Sequence, residues 1–501
     1  LAGGLLILIL DTSFNDERNS GTGYTAISVL FLIVATAGVL IQSVGMLDGF
    51  TRTGAGPTLA MDMISIDLFG TFMKITIYMV MILVAVAGGS YLNRRISGHG
   101  EFWTLYLFVT VAMSLASSAN NLLLIFLAVE FLSITSYILV GFFREDQRST
   151  EAGVKYFLYG SVASALMLYG MSLLYGASGS LVLGDIALAF EENSGLGIIV
   201  MPATIMALVG LGFKTSLAPF FQWAPDTYDG APTPVTAYLS TASKAVGFAV
   251  MARIFIVALG GFRSEWVPIL AGLSIFTMTA GNLMALRQSS VKRMLAYSSV
   301  AQAGYILMGL VAVVSTTQIG FDDLSLNGLN GLLVYIFAYL FTNVGAFMVV
   351  LAVEERAGST DISAYEGLFH KAPSLALSML IFLLSLTGIP ATGGFMGKFF
   401  VFGAAVQHQY FWLAGFAAVN AGIAGFYYLN VARAMFFAGV DEVEQVTEGP
   451  DAGTPVRMPV GMAMQIAVTI CVIGTFWLGL YPSMILDWAK GASDQLLALM
   501  M

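Results

Sequence analysis

The sequence has little charge. Lysine, arginine, aspartate and glutamate make up 10% of its 501 residues, whereas a soluble domain carries about a quarter. At the same time, 58% of the residues are hydrophobic. So few charges exclude a soluble protein of this size, and we expect a chain that crosses a membrane many times. Short segments of alternating hydrophobicity, which mark membrane β-barrels, do not occur, so the spans are predicted to be helices.

Cysteine and histidine are also scarce. The single Cys471 lies in an apolar run, which excludes a disulfide framework and a cysteine-ligated metal or iron–sulfur cluster in this chain. The three histidines, His99, His370 and His408, fall in predicted loops or helix ends, where solvated side chains are expected. There is no basic cluster that would bind a nucleic acid. We therefore expect no redox cofactor, metal or nucleic acid on this chain.

Long apolar runs are what the sequence has in abundance. About 20 apolar residues cross the roughly 30 Å hydrocarbon core of a bilayer as a helix. Because the first run has only ten residues, we expect it to be the remainder of a helix that starts before Leu1. The runs predict an all-α polytopic membrane protein of about fourteen transmembrane helices, at residues 1–10, 24–46, 64–92, 102–119, 121–142, 151–177, 199–223, 233–258, 266–286, 291–314, 327–353, 374–406, 410–437 and 459–483.

Basic residues in the loops predict the orientation, because cytoplasmic loops carry more lysine and arginine. When alternate loops are assigned to opposite sides, the smaller set is Arg52, Arg263 and Lys490. The larger set, on what we call the basic side, is Arg18, Arg94, Arg95, Arg144, Arg148, Arg287, Lys292, Arg293, Arg356, Lys371, Arg433 and Arg457. We expect the basic side to face the cytoplasm and both termini to lie on the opposite side.

Some basic residues lie inside apolar runs, where a charge costs about 2.5–3.5 kcal/mol on insertion scales. Lys74, Lys155 and Arg253 are near the ends of their runs, and their side chains are expected to reach the membrane surface. Lys214 and Lys244 lie within three residues of the middle of a run. Such deep charges face the bundle interior, pair with one another or line water.

Glu130 is the only acid at a comparable depth, and it is therefore the expected partner of Lys214. One interpretation is a static buried ion pair. The other is a proton relay, because the deep cations outnumber the deep acids and burial disfavours the charged form of a lysine. Polar residues share the faces of these helices and favour the relay: Ser133 and Tyr137 with Glu130, Ser240, Thr241 and Gly247 with Lys244, and a stripe of Tyr335, Tyr339, Thr342 and Asn343 in the eleventh run.

Two runs are interrupted. "GFKTSLAPFFQWAPDTYDGAPTPVT" places Pro219 five residues after Lys214 and predicts a Pro- and Asp-rich loop after the break. "GIPATGGFMGKFF" weakens the twelfth helix just before Lys398. Broken helices five apart, each with a lysine, predict two inverted five-helix repeats with ion sites at the breaks. The predicted regions are residues 1–100 for the N-terminal helices, 101–260 and 261–440 for the two repeats, and 441–501 for the last helix and tail.

Several of these segments together resemble a known family. "AVEFLSITSYILVGF", "EAGVKYFLYGSVASALMLYG", "WAPDTYDGAPTPVTAYLSTASKAVGF", "VKRMLAYSSVAQAGYILMG" and "GIPATGGFMGKFF" are similar to the antiporter-like N subunit of respiratory complex I. The resemblance covers about residues 101 to 437. It implies a fourteen-helix fold, a place among the other membrane-arm subunits in the lipid bilayer of an energy-transducing membrane, and a role in proton translocation. Flavin, iron–sulfur clusters and quinone are then expected in other subunits.

The resemblance also assigns roles. Lys214 and Lys398 are the expected proton carriers, Glu130 tunes Lys214, and Lys244 bridges the two repeats. Two further lysines match the family less closely and are weaker candidates for the relay, namely Lys292 and Lys155. Two other functions stay open at this point. One is a stand-alone Mrp-like cation/proton antiporter, and the other is a structural subunit in which the charges only hold helices together.

Overall fold

The computed structural model describes residues 1–13, 20–49, 58–59, 61–96, 98–192, 195, 197–313, 326–437, 458 and 460–500. Its long helices follow the predicted runs in order, and we number the spans accordingly. They are Ala2–Ser13, Ser20–Gly49, Leu68–Arg95, His99–Ser117, Leu122–Val140, Gln147–Ser178, Gly197–Thr215, Thr233–Ala258, Arg263–Ala285, Val291–Val311, Gly328–Ala357, the two halves Pro373–Thr387 and Gly393–Gln407, Phe411–Phe437 and Met462–Leu480.

The predicted fold class is confirmed. Within the described residues, twelve helices are long and apolar enough to cross a bilayer, and the two other spans are the short first helix and the divided twelfth. Two antiparallel strands, Thr58–Leu59 and Ile64–Ser65, form a small hairpin. Short helices complete the chain: Leu183–Glu192, Trp223–Gly230, Leu368–Lys371 and Ser483–Leu497, with 3₁₀ turns at Gly260–Phe262, Ile362–Tyr365 and Ala498–Met500.

The spans are arranged in an inner and an outer set. The eighth and eleventh spans are completely enclosed by other helices, and the tenth nearly so, whereas most of the second, sixth and thirteenth faces outward. Corresponding pairs pack in the two predicted repeats: the fourth span on the fifth and the ninth on the tenth, then the sixth on the seventh and the eleventh on the twelfth. This repetition agrees with two copies of one unit. The boundaries of the four predicted regions stay a prediction.

The seventh span breaks earlier than the sequence suggested. Its helix ends at Thr215, before Pro219, and the segment expected to be a loop forms the helix Trp223–Gly230. Proline and aspartate are compatible with a helix when they fall in its first turn, where no N–H has an intrahelical acceptor and the dipole favours an acid. Pro225 and Asp226 occupy that turn.

The twelfth span is also divided, as predicted. The first half ends at Thr387 and the second half begins at Gly393. Thr392 caps the second half by accepting a hydrogen bond from the Phe395 N–H. Gly388 adopts a φ of 95° at the end of the first half. A positive φ suits glycine because it has no Cβ. The break leaves carbonyl groups of the first half available to side chains.

The eighth span contains a feature that the sequence did not indicate. Two π-helical turns, Leu239–Ser243 and Arg253–Ala258, flank the regular helix Lys244–Ala252. Such turns are rare and are frequent at functional sites. They change the direction of the side chains on either side of Lys244, in a span that other helices enclose completely.

Arg253 does not reach the membrane surface, so the prediction made for it is wrong. Its side chain is 1% exposed and forms an ion pair of 2.8 Å with Asp67. Its Nε also donates to the Ser117 carbonyl at 2.9 Å. Asp67 in turn caps the third span by accepting from the Gly70 N–H at 2.5 Å. Because both charges are satisfied, burial of the pair is tolerated.

The helix Ser483–Leu497 was not predicted, and it packs against the beginning of the third span. Trp488 lies against Phe72, with ring centroids 4.5 Å apart. The Gln495 side chain accepts a hydrogen bond of 2.6 Å from the Leu68 N–H. The beginning of the third span therefore depends on two distant parts of the chain, the helix Ser483–Leu497 and Arg253.

We predict that Gly388→Ala destabilises the protein more than Gly358→Ala does. Both glycines have positive φ, 95° and 67°, which costs an alanine about 1–2 kcal/mol. A Cβ at Gly358 would meet nothing within 4 Å, whereas one at Gly388 would lie 2.9 Å from Cδ of Lys398. Thermal unfolding of the purified protein in detergent measures both losses. Equal losses would mean that the Lys398 side chain moves aside without cost.

Candidate functional site

Three buried lysines have no acidic partner. Lys214 and Lys244 are each 2% exposed and Lys398 is 6% exposed. None of them belongs to an ion pair among the described residues, whose ion pairs involve other cations. Each ammonium instead contacts hydroxyl groups, carbonyl groups or aromatic rings. This arrangement differs from that of Arg253, which lies on the same span as Lys244 and is paired.

Lys214 does not bond to Glu130, contrary to the sequence-based expectation. Its Nζ donates to Ser133 Oγ at 3.2 Å and to the Tyr156 hydroxyl at 3.5 Å. Glu130 instead accepts a hydrogen bond from Ser164. Ser133 lies one turn after Glu130 on the same helix, so it occupies the place of the expected acid. Glu130 acts on Lys214 only through space, and its own side chain is partly exposed.

Aromatic rings enclose Lys214 on the side of the break. The Tyr156 ring stacks on Trp223 with centroids 4.3 Å apart, and Lys214 Nζ lies 5.9 Å from the Tyr156 centroid. Trp223 Nε1 donates to the Phe213 carbonyl at 3.0 Å, which fixes the short helix after the break against the end of the helix before it. The break after Thr215 therefore allows the helix that begins at Trp223 to fold over Lys214.

Lys244 joins the two halves of the molecule. Its Nζ donates to the Ser299 carbonyl at 2.6 Å and to Ser299 Oγ at 2.8 Å. Ser299 belongs to the tenth span, in the second predicted repeat. The Tyr228 ring faces Lys244 with its centroid 5.9 Å from Nζ. Lys244 is thus held by the second repeat although it lies in the first.

Lys398 reaches back to the first half of its own broken span. Its Nζ donates to the carbonyl groups of Leu386 and Thr387 at 2.9 and 2.8 Å. These carbonyls end a half-helix, where the backbone dipole presents its negative end to a cation. The Tyr305 ring centroid lies 4.8 Å from Nζ. The break near Gly388 therefore provides the ligands of Lys398.

A chain of buried polar groups connects Lys244 with Lys398. Ser298, next to Ser299, shares a hydrogen bond of 2.5 Å with the Tyr428 hydroxyl. Gln302 Nε2 donates to that hydroxyl at 3.4 Å and to the Leu386 carbonyl at 3.0 Å. The Leu386 carbonyl is also a ligand of Lys398. These hydrogen bonds run from Ser298 to the Leu386 carbonyl, and Ser298 is linked to Ser299, the ligand of Lys244, only through the chain. We call this set of groups, with the lysines at its ends, the central string.

The residues of this connection were missed at the sequence level. Ser298, Gln302 and Tyr305 recur at intervals of four and three residues in the motif "YSSVAQAGY", so they share one face of the tenth span. That is the same pattern that identified the stripe of the eleventh span. Tyr428 carries no such indication, because nothing local in its helix points to a distant partner.

The polar stripe of the eleventh span faces the interior, as expected. Asn343 Nδ2 donates to Ser240 Oγ at 2.7 Å and to Thr241 Oγ1 at 3.0 Å. Tyr335 donates to Gln302. The eleventh span therefore contacts the polar face of the eighth span at one level and that of the tenth at another, and it lies along the whole central string.

The two weaker candidates lie apart from this string, near the basic side. Lys155 is 40% exposed in its side chain and pairs with Glu151 at 2.7 Å and Asp226 at 3.0 Å. It thus reaches the surface, as expected from its place near the end of a run. Lys292 is buried, donates to the Ala231 carbonyl at 2.7 Å and lies 4.0 Å from Glu354. Glu354 was not singled out from the sequence.

Known proteins resemble this chain in sequence and in fold. A family model for the transmembrane region of NADH:quinone oxidoreductase and Mrp antiporters matches residues 119–424. NADH-quinone oxidoreductase subunit N of Moorella thermoacetica is 37% identical over 98% of this chain and 95% of its own length. A chain of respiratory complex I from Thermus thermophilus, solved with bound aureothin, is 29% identical with a TM-score of 0.76 over 97% of each chain.

The fold alone does not separate the two classes of relatives. A chain of the Mrp complex from Dietzia sp. is 20% identical, with a TM-score of 0.82 over 100% of this chain and 98% of its own. That score exceeds the one for the Thermus thermophilus chain, although the sequence identity is lower. The sequence identity therefore discriminates where the backbone does not.

We predict that Arg253→Met and Lys244→Met differ sharply in stability, although both side chains are buried in the eighth span. Removing Arg253 leaves Asp67 as an uncompensated buried charge, which costs about 3–5 kcal/mol. Lys244→Met removes a charge that has no counter-charge, so it should cost less than about 1.5 kcal/mol. Thermal unfolding of the two purified variants provides the comparison. A loss for Lys244→Met as large as that for Arg253→Met would mean that Lys244 is a structural cation.

Proposed function

Because the chain belongs to the family of NADH-quinone oxidoreductase subunit N, we propose that it translocates protons in the membrane arm of a complex I-type quinone oxidoreductase. It serves the enzyme as a non-redox, translocating subunit. Flavin, iron–sulfur clusters and quinone belong to other subunits of the assembly. Other membrane-arm subunits and the bilayer are its partners.

The observation that carries this proposal is the set of three buried lysines that contact only neutral groups. A buried charge without a partner costs several kcal/mol, so a static cation would be a poor choice at each position. A lysine avoids this cost because it can release its proton and remain a hydrogen-bonding amine, whereas an arginine cannot. Where the fold needs a permanent buried cation, it uses Arg253 and pairs it with Asp67.

Protons move along the string in steps between neighbouring polar groups. A change of charge beside Glu130, on its partly exposed face, alters the affinity of Lys214 for a proton. Ser216, two residues after Lys214, and Tyr228, whose ring faces Lys244, have buried hydroxyl groups close to each other, and neither makes a hydrogen bond of good geometry to another described protein atom. Buried hydroxyls of this kind are hydrogen-bonded by water. From Lys244 the path follows the hydroxyl groups of Ser299, Ser298 and Tyr428, each of which can accept and donate a proton, and water completes it from Tyr428 to Lys398 beside Gln302.

The orientation of the chain follows the distribution of basic residues. We place it in a bacterial plasma membrane or another energy-transducing membrane, with the basic side in the cytoplasm and both termini on the opposite side. Protons then enter from the side of Lys155 and Lys292.

A second candidate function is that of a stand-alone cation/proton antiporter, because a chain of the Mrp complex shares this fold. Purification of the tagged chain from its native membrane separates the two. We expect it to copurify with the other membrane-arm subunits and with quinone reductase activity. A chain that is isolated alone and exchanges sodium for protons in vesicles would favour the antiporter.

We predict that Lys214→Arg leaves assembly intact and lowers proton transfer at least about tenfold, because a positioned acid–base group contributes about a hundredfold or more. Arginine keeps the charge but does not release its proton. The measurement is quinone-driven acidification by the assembled complex in proteoliposomes. Full pumping by Lys214→Arg would favour a purely structural role for the buried charges.

The double variant Lys214→Met with Glu130→Gln is the control for a static pair. In a static pair, removal of both charges hurts less than removal of one. In the relay, the double variant is as inactive as Lys214→Met alone. Rescue of pumping in the double variant would contradict the relay.

A further inference from the structure

Glu354 lies in a buried cluster at the basic side of the bundle. Thr233 donates a hydrogen bond to its carboxylate, and the Tyr91 hydroxyl donates a second one at 3.5 Å. Lys292 Nζ lies 4.0 Å from the same carboxylate. The cluster thus collects residues from the third, eighth, tenth and eleventh spans at one point.

The cluster connects the surface with the interior. Arg95, which is exposed, donates to the Tyr91 hydroxyl at 3.1 Å. Glu354 is 16% exposed in its side chain, whereas Lys292 is only 2% exposed. Exposure therefore falls from Arg95 to Glu354 to Lys292, and the buried Tyr91 hydroxyl joins Arg95 to Glu354. This is the order of accessibility that an entry route for a small ion requires.

The tenth span links the cluster to the central string. Ser299, the ligand of Lys244, lies seven residues after Lys292. Seven residues are two helical turns, so both side chains lie on one face, about 10 Å apart along the axis. The carbonyl that holds Lys292 belongs to Ala231, three residues after Tyr228, whose ring faces Lys244.

Polar groups without protein partners fill this distance. The hydroxyl groups of Tyr228 and Tyr339 lie near the Ser299 hydroxyl, and neither makes a hydrogen bond of good geometry to a protein atom in the described part of the chain. The Tyr365 hydroxyl, near Glu354, is also buried and unpartnered. Buried hydroxyls of this kind bind water. The stretch between the cluster and Lys244 is therefore suited to carry a proton.

We propose that Glu354 and Lys292 form the proton entry site of this chain on the basic side, and that they load Lys244 along the tenth span. The carboxylate takes a proton from the aqueous side, and Lys292 passes a proton inward to the water-bonded hydroxyls and Lys244. Asp226, another acid near this side, is unsuited to this role because Lys155 and Arg293 hold it at 3.0 and 2.7 Å. The inference rests on the proposed proton translocation and adds its point of entry.

Glu355 provides a matched control for Glu354. It is the next residue on the same helix, and it pairs with Arg94, whose side chain is 64% exposed. Surface pairs of this kind contribute little to stability. The two variants Glu354→Gln and Glu355→Gln therefore make the same chemical change at adjacent positions, one inside the cluster and one outside it.

The test compares both variants in the assembled complex in proteoliposomes. We expect Glu354→Gln to lower quinone-driven proton transfer at least about tenfold, Glu354→Asp to restore part of it, and Glu355→Gln to leave it unchanged. Infrared difference spectra on reduction should lose a carboxylic acid band only in Glu354→Gln. If Glu354 had only a structural role, its protonation would not change on reduction, and the band would remain in the spectra of Glu354→Gln. Normal pumping, or an unchanged band, in Glu354→Gln overturns the inference.

If Glu354→Gln fails to assemble, the variant Lys292→Arg tests the entry site instead. It keeps the charge and the bond to Ala231, and it should assemble and pump at least about tenfold more slowly. Normal pumping by Lys292→Arg would also overturn the inference. If Lys214→Arg is impaired while both entry variants pump normally, the proposed translocation stands and only the entry site is wrong. If all three pump normally, the proposed function itself fails.

Discussion

A lysine in the middle of a bilayer must find a counter-charge or be able to lose its proton, and this constraint shapes the whole interior of the protein. Lys214, Lys244 and Lys398 have no acid in contact, so the surrounding helices must offer groups that accept either form of the amine. Hydroxyls and carbonyls do so, because an amine and an ammonium both donate hydrogen bonds. The enclosure of the eighth, tenth and eleventh spans keeps these weak contacts away from lipid, where no other partner exists.

The irregular parts of the helices provide these groups. A regular helix uses each of its interior carbonyls for its own N–H groups, so it has little to give to a lysine. The twelfth span gives the carbonyls of Leu386 and Thr387 to Lys398 because it stops there. The seventh span stops after Lys214, and the following helix turns Trp223 towards Tyr156. The polar interior thus requires irregular helices. The long apolar helices around them shield the irregular backbone from lipid, so the membrane tolerates it.

The sequence predicted the span order and the interruption of the seventh and twelfth spans, because hydropathy and proline act locally. It misplaced what depends on packing. Glu130 and Lys214 have matching depth, but depth does not fix which face of one helix meets another, and Lys214 bonds to Ser133 instead. Arg253 looked able to reach the surface because its partner Asp67 lies 186 residues away. Tyr428 and Glu354 were missed for the same reason. Ser298 and Gln302 could have been identified from the sequence, because their spacing places them on one face of a helix.

The first turn of the third span depends on partners that are synthesised much later than the turn itself. The Leu68 N–H of this turn donates to the Gln495 side chain, and Asp67, which precedes the turn, pairs with Arg253. Synthesis proceeds from the N-terminal end, so this turn enters the membrane long before either partner exists. The helix Ser483–Leu497 closes over Phe72 only after Gln495, 427 residues after Leu68, has been made. A ribosome product that stops short of Gln495 keeps an uncapped amide and an uncovered aromatic ring, which quality-control proteases of the membrane can recognise as a sign of an unfinished chain.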